Sequence, residues 1–129
     1  MNVKKLQKIF NYYAKKYKLK TDIDIDIDGQ ACYYKGDNDY IFLGCEKIKR
    51  LLPEAKKRCG KNNLKTFTIF ALLHEIKHAI DYTYNQELMK SECKSLNHGK
   101  YFDDREYHHK QKYEIRADNF ARKELTKWC

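Results

Sequence analysis

The sequence predicts a single α+β domain spanning residues 1–129, with an N-terminal helix, a small and mostly antiparallel sheet, a long central helix and a C-terminal helix. Three observations carry that expectation. Leu6, Ile9, Phe10, Tyr13 and Tyr17 recur at helical spacing among lysines. Residues 21–28 alternate aspartate with Ile23, Ile25 and Ile27, a period of two that puts isoleucines on one strand face and carboxylates on the other. The stretch from Phe67 to Leu73 is apolar apart from one threonine, which suits a buried central helix.

Taken in order, residues 2–19 form the first amphipathic helix and residues 21–28 the first strand. Gly29-Gln30 turns the chain into a second strand over residues 31–34, and Gly36-Asp-Asn-Asp39 turns it again into a third over residues 40–43. Residues 46–59 read as helical with a break near Leu52, because Pro53 lacks an amide proton and restricts its predecessor. Gly60 suits a helix C-cap, and Asn62 or Asn63 an N-cap for a helix over residues 64–84. Residues 85–112 read as polar and irregular, and residues 113–128 as a final helix. The aspartates of the first strand lack the glycine and closing glutamate of a looping calcium site.

At 129 residues, with 42% hydrophobic and 14% aromatic side chains, the chain has enough apolar material for one modest core. Its apolar runs fall far short of the ~20 residues that span a bilayer, and no apolar stretch follows the basic N-terminus as in a secretory signal. Lys and Arg total 27 against 18 Asp and Glu, a formal net charge of +9. That surplus admits nucleic acid as a partner, but arginine is scarce and no Arg/aromatic cluster accompanies it, so a solvated lysine-rich surface is favoured. Cys32, Cys45, Cys59, Cys93 and Cys129 form an odd set without a C-x-x-C pair. Reduced thiols in a cytoplasmic, soluble protein are the expectation, with Cys129 the most exposed. Oligomeric state is not encoded in these features.

The central helix contains His74-Glu75-Ile76-Lys77-His78, an H-E-x-x-H. One helical turn separates the histidines, so they project from one side and can share one zinc ion. Glu75 is offset around the helix, beyond direct ligation yet near enough to act as general base on a metal-bound water. The bland alternative is a surface histidine pair beside a solvated glutamate. Zinc requires a third protein ligand, and Glu114 in Glu114-Ile-Arg-Ala-Asp-Asn-Phe-Ala121 is the best candidate. Asp118, one turn on, shares its face and suits a hydrogen bond that orients a ligand histidine. On its own, this segment would be an ordinary amphipathic helix.

H-E-x-x-H followed by E-x-x-A-D-x-F-A resembles the ImmA/IrrE-like metallopeptidases of the glutamate-zincin group, over roughly the second half of the chain. The resemblance implies a minimal zincin fold and one Zn2+ per chain held by His74, His78 and Glu114. It also implies Glu75 as catalytic base, Asp118 as the orienting acid, and a protein or peptide substrate, typically a regulator such as a repressor. Two features depart from that pattern. Lys77 stands where the family often has a small residue, and its cation disfavours a neighbouring metal unless the stem carries it to solvent or to an acid such as Asp81. Asn97-His98-Gly99-Lys100-Tyr101-Phe102 is similar to the H-G-x-x-F/W segment of SprT-like, nucleoprotein-associated proteases, which makes His98 an alternative third ligand. Tyr107, His108, His109 and Arg116 are candidates to stabilise an oxyanion, each also readable as a surface residue. Tyr82 and Tyr84 read as packing residues. A non-catalytic binding module with a degenerate or structural metal site is the reading from a different class.

Overall fold

The computed structural model describes residues 2–94 and 96–129. Helix α1 (Val3–Lys16) leads into strands β1 (Asp22–Asp26), β2 (Cys32–Lys35) and β3 (Tyr40–Gly44). Helices α2 (Cys45–Arg50) and α3 (Ala55–Cys59) follow, separated by a 3-10 turn over Leu52–Glu54 that contains Pro53, where the sequence places a break. The central helix α4 (Leu64–Tyr84) comes next, then α5 (Gln86–Cys93), α6 (His98–Asp103), α7 (Arg105–Lys110) and α8 (Lys112–Leu125). The α+β class therefore holds.

The sheet is mixed rather than mostly antiparallel. Its order is β1-β3-β2, with β1 parallel and β2 antiparallel to β3. The reason lies where two glycines meet. A Cβ on Gly29 would stand 2.6 Å from Gly44 Cα, and one on Gly44 would stand 2.0 Å from the Ala31 carbonyl oxygen. The segment after β1 thus crosses the end of β3 at van der Waals contact and delivers β2 to the far side, where a hairpin with β1 would otherwise have formed. β1 is also shorter than the alternation suggests, and Ile27 is exposed beyond its end.

The register aligns Ile23 with Ile41, Ile25 with Leu43 and Cys32 with Leu43, so one sheet face is apolar. That face lies against α4, which also packs on α1, and the shared core contains Leu6, Ile9, Phe10, Ile41, Leu43, Phe70, Leu73 and Ile76. Asn63, rather than Asn62, caps α4 by accepting the Thr66 amide at 3.0 Å. Gly60 closes α3 with φ 84°, a left-handed conformation open to glycine without strain. Residues 85–112, read from sequence as irregular, contain three short helices. Asn97 and Asp104 cap two of them by accepting amides of Lys100 and of Glu106 and Tyr107. The last helix ends at Leu125, short of Trp128.

α8 packs along α4 through Ala117 and Ala121, both fully buried. Small side chains there let the two backbones approach, which brings Glu114 and Asp118 against the histidine face of α4. Among the described residues, no helix is long and apolar enough to cross a membrane. No disulfide joins any of the five cysteines, and Cys129 is exposed.

Candidate metal centre

His74 and His78 project from α4 with their Nε2 atoms 3.1 Å apart, and Glu114 reaches them from α8. Glu114 Oε1 lies 3.1 Å from His74 Nε2 and in close contact with His78 Nε2. All three residues are buried, Glu114 to 2% exposure, and one ligand atom from each lies within 4.8 Å of the others. Two imidazole nitrogens and one carboxylate oxygen converging among buried side chains form a donor set that could hold a metal ion. His98 is exposed at the start of α6 and outside this group, because the cap at Asn97 starts that helix at the surface.

Asp118 Oδ1 stands 2.7 Å from His74 Nδ1, one turn along α8 from Glu114. Arg58 Nη2 and Nε donate to Asp118 Oδ1 at 2.8 Å and Oδ2 at 3.1 Å. An ionised carboxylate has no proton to give, so His74 Nδ1 is the donor and its Nε2 faces Glu114. His78 Nδ1 is buried and has no hydrogen-bond partner among the described residues, so the two histidines are oriented unequally.

The charges are tightly coupled. Burial alone would lower the pKa of His74, but the Glu114 carboxylate and the Asp118 hydrogen bond outweigh it and raise the value to about 10. Burial would raise the pKa of Glu114, yet the adjacent His78 and His74 hold it well below the ordinary carboxylate range. Asp118 is likewise held low, against its burial, by His74 and Arg58. In the metal-free protein, the two carboxylates therefore favour the protonated form of His74.

Glu75 is buried, and the Cys32 thiol of β2 donates to its Oε2 at 3.8 Å. Burial, followed by the Glu75 charge, pushes the Cys32 pKa well above its ordinary value, so this thiol stays protonated. Lys77 Nζ lies 2.9 Å from Asp81 Oδ1, an ion pair by proximity whose alignment falls outside hydrogen-bond geometry.

The four candidate oxyanion stabilisers separate. His108 Nε2 closely contacts Glu114 Oε2. His109 instead pairs with Glu54 at 2.9 Å, and Tyr107 accepts the Asn97 amide at 3.0 Å. Arg116 is held by Glu92 at 2.6 Å and Asp81 at 3.2 Å. Tyr101, which the sequence reading passed over, donates to Glu114 Oε2 at 2.8 Å and stacks on His108 with ring centroids 4.2 Å apart. It lies in the segment read from sequence as irregular, three residues after His98 on the short helix α6, so no motif or periodicity marked it. Arg58 and Glu54 were missed as well, since they precede α4 and match no motif.

No protein-family model, curated protein or solved structure matches the chain.

Proposed function

We propose that this protein is a zinc-dependent metallopeptidase that hydrolyses peptide bonds of a protein substrate. The observation that carries the reading is the convergence of His74, His78 and Glu114 within 4.8 Å, beside the buried Glu75 of the same helix. Glu114, rather than His98, stands with the histidine pair, which favours the ImmA/IrrE-like resemblance over the SprT-like one.

Zinc held by these three residues would supply Lewis acidity toward water and toward the scissile carbonyl. Glu75 accepts the proton of the attacking water and returns it to the leaving amine. Asp118 keeps the Nδ1 proton of His74 in place, so that Nε2 is the donor atom. Tyr101 and His108, both at Glu114 Oε2, are the hydrogen-bond donors best placed to stabilise a developing oxyanion. β2 supports a peptide substrate: it is an edge strand whose inward-facing Cys32 touches Glu75, so an extended chain pairing with that edge runs beside the base. The resemblance extends the proposal to a regulator, such as a repressor, as substrate.

Zinc titration of the purified chain tests the reading, together with cleavage of an unfolded protein such as casein. One zinc per chain, lost in His74→Ala and Glu114→Ala and kept in His98→Ala, is expected. Glu75→Gln keeps zinc and loses hydrolysis by about 10²–10⁴-fold. Zinc binding without hydrolysis by the native chain would instead indicate a structural metal site.

A further inference from the structure

We propose that Arg58 is a positioning residue for the metal centre, clamping Asp118 so that His74 keeps its Nδ1 proton and turns Nε2 toward the ion. The inference rests on the metal-site reading above and goes beyond its ligands.

The clamp is a two-pronged fork. Arg58 Nη2 and Nε occupy both oxygens of Asp118, at 2.8 Å and 3.1 Å, and Oδ1 also receives His74 Nδ1 at 2.7 Å. Nη2 is 3.4 Å from His74 Nδ1, so guanidinium and imidazole share one acceptor. A carboxylate held at both oxygens cannot rotate, and its direction sets the plane of the imidazole. A lysine would supply the charge without the fork.

Arg58 is itself immobilised. Its guanidinium lies 5.2 Å from the Phe70 ring and 5.7 Å from the Phe67 ring, one and two turns before His74 on α4. Its Nη1 is 3.3 Å from Glu54 Oε1. Glu54 in turn receives Arg105 Nε at 2.9 Å and pairs with His109 at 2.9 Å, both from α7. That helix also carries His108, which contacts Glu114. One continuous polar network therefore runs from α7 through Glu54, Arg58 and Asp118 to His74. A buried ionic network is a weak stability device, since apolar residues of similar volume stabilise as well or better. Its termination on a metal-facing histidine supplies the reason for it.

The test compares the zinc affinity of the full chain and its Arg58→Gln, Arg58→Lys, Asp118→Asn and Arg58→Gln/Asp118→Asn variants, by competition with a chromophoric chelator. Circular dichroism monitors folding. Arg58→Gln is expected to bind zinc about 10–100-fold more weakly, with Arg58→Lys recovering part of the loss. The double variant should match Asp118→Asn within about threefold, because Arg58 acts through Asp118. Native affinity in Arg58→Gln, or additive losses in the double variant, would overturn the proposal. If Arg58→Gln does not fold, native affinity in Arg58→Lys overturns it. Should the native chain bind no zinc, the metal-site reading fails, and the clamp is then judged by NMR of the zinc-free protein. There the His74 Nδ1 proton should be protected from exchange in the native chain and lose that protection in Arg58→Lys; equal protection in both would overturn the clamp.

Discussion

Lys77 Nζ lies 2.9 Å from Oδ1 of Asp81, one turn further along α4, so the cation next to His78 is answered by a carboxylate with 1% exposure. Asp81 Oδ2 also meets Arg116 Nε at 3.2 Å. One buried acid thus balances two cations beside the His74 and His78 face of α4.

Replacing that acid by Asp81→Asn should cost about 1–3 kcal/mol of stability, as two cations lose the buried negative charge that answers them. Zinc binding should weaken too, because the Lys77 charge is no longer balanced. Chemical denaturation and chelator competition measure the two effects. Zinc affinity in Asp81→Asn equal to that of the native chain would show that Lys77 never opposed the metal.

Tyr101→Phe removes one hydroxyl from Glu114 Oε2 and leaves the stacked ring on His108. If that hydroxyl serves the transition state, kcat falls by about 10²-fold while zinc affinity changes by less than about threefold. A loss of zinc affinity without loss of kcat at saturating metal would assign Tyr101 to ligand support alone.

Because Glu114 and Asp118 raise the His74 pKa to about 10 in the zinc-free protein, zinc binding at pH 7 is expected to displace a proton from it. Zinc affinity should therefore tighten by about tenfold per pH unit between pH 6 and 8 for that proton. A folded value raised above the ordinary ~6.5 also means that this group stabilises the zinc-free fold fully below pH 6.5 and loses its contribution as pH rises toward 10. Calorimetry in buffers of different ionisation enthalpy counts the protons released; a count of zero contradicts the charge state.

Glu54 tests the polar network at the other end of the pH scale. Burial would raise its pKa, but hydrogen bonds from His109 and Arg105 and their charges hold it below the ordinary carboxylate range. Its contribution is present above about pH 4.3 and is lost as pH falls through the lower folded value. The Tm gap between the native chain and Glu54→Gln should be widest near pH 6 and shrink from pH 4 to pH 2. A gap independent of pH would remove Glu54 as an ionic junction.

Gly44→Ala would drive a methyl into the Ala31 carbonyl, 2.0 Å from where the Cβ must lie. The neighbour is backbone and cannot swing aside, so a loss of at least ~1–3 kcal/mol is expected. Gly60→Ala is the control, since a Cβ there meets nothing within 4 Å and carries only the cost of φ 84°. Thermal denaturation of both variants should rank Gly44→Ala as the more damaging.

Local periodicity alone determined much of this protein. It set the buried face of α1, the span of α4, and the fact that His74 and His78 share one side of a helix while Glu114 and Asp118 share one side of another, and the missing amide proton of Pro53 set the break before α3. These are properties of neighbours three or four residues apart, which helix geometry relates directly. Tertiary structure alone decided the parallel pairing of β1 with β3, the meeting of Glu114 rather than His98 with the histidine pair, and the arrival of Tyr101, His108 and Arg58 around them. Contacts such as Tyr101 with Glu114 and Arg58 with Asp118 join positions 13 and 60 residues apart. No spacing rule links such residues: they meet because Ala117 and Ala121 let two helices approach and because two glycines let the segment after β1 cross the end of β3.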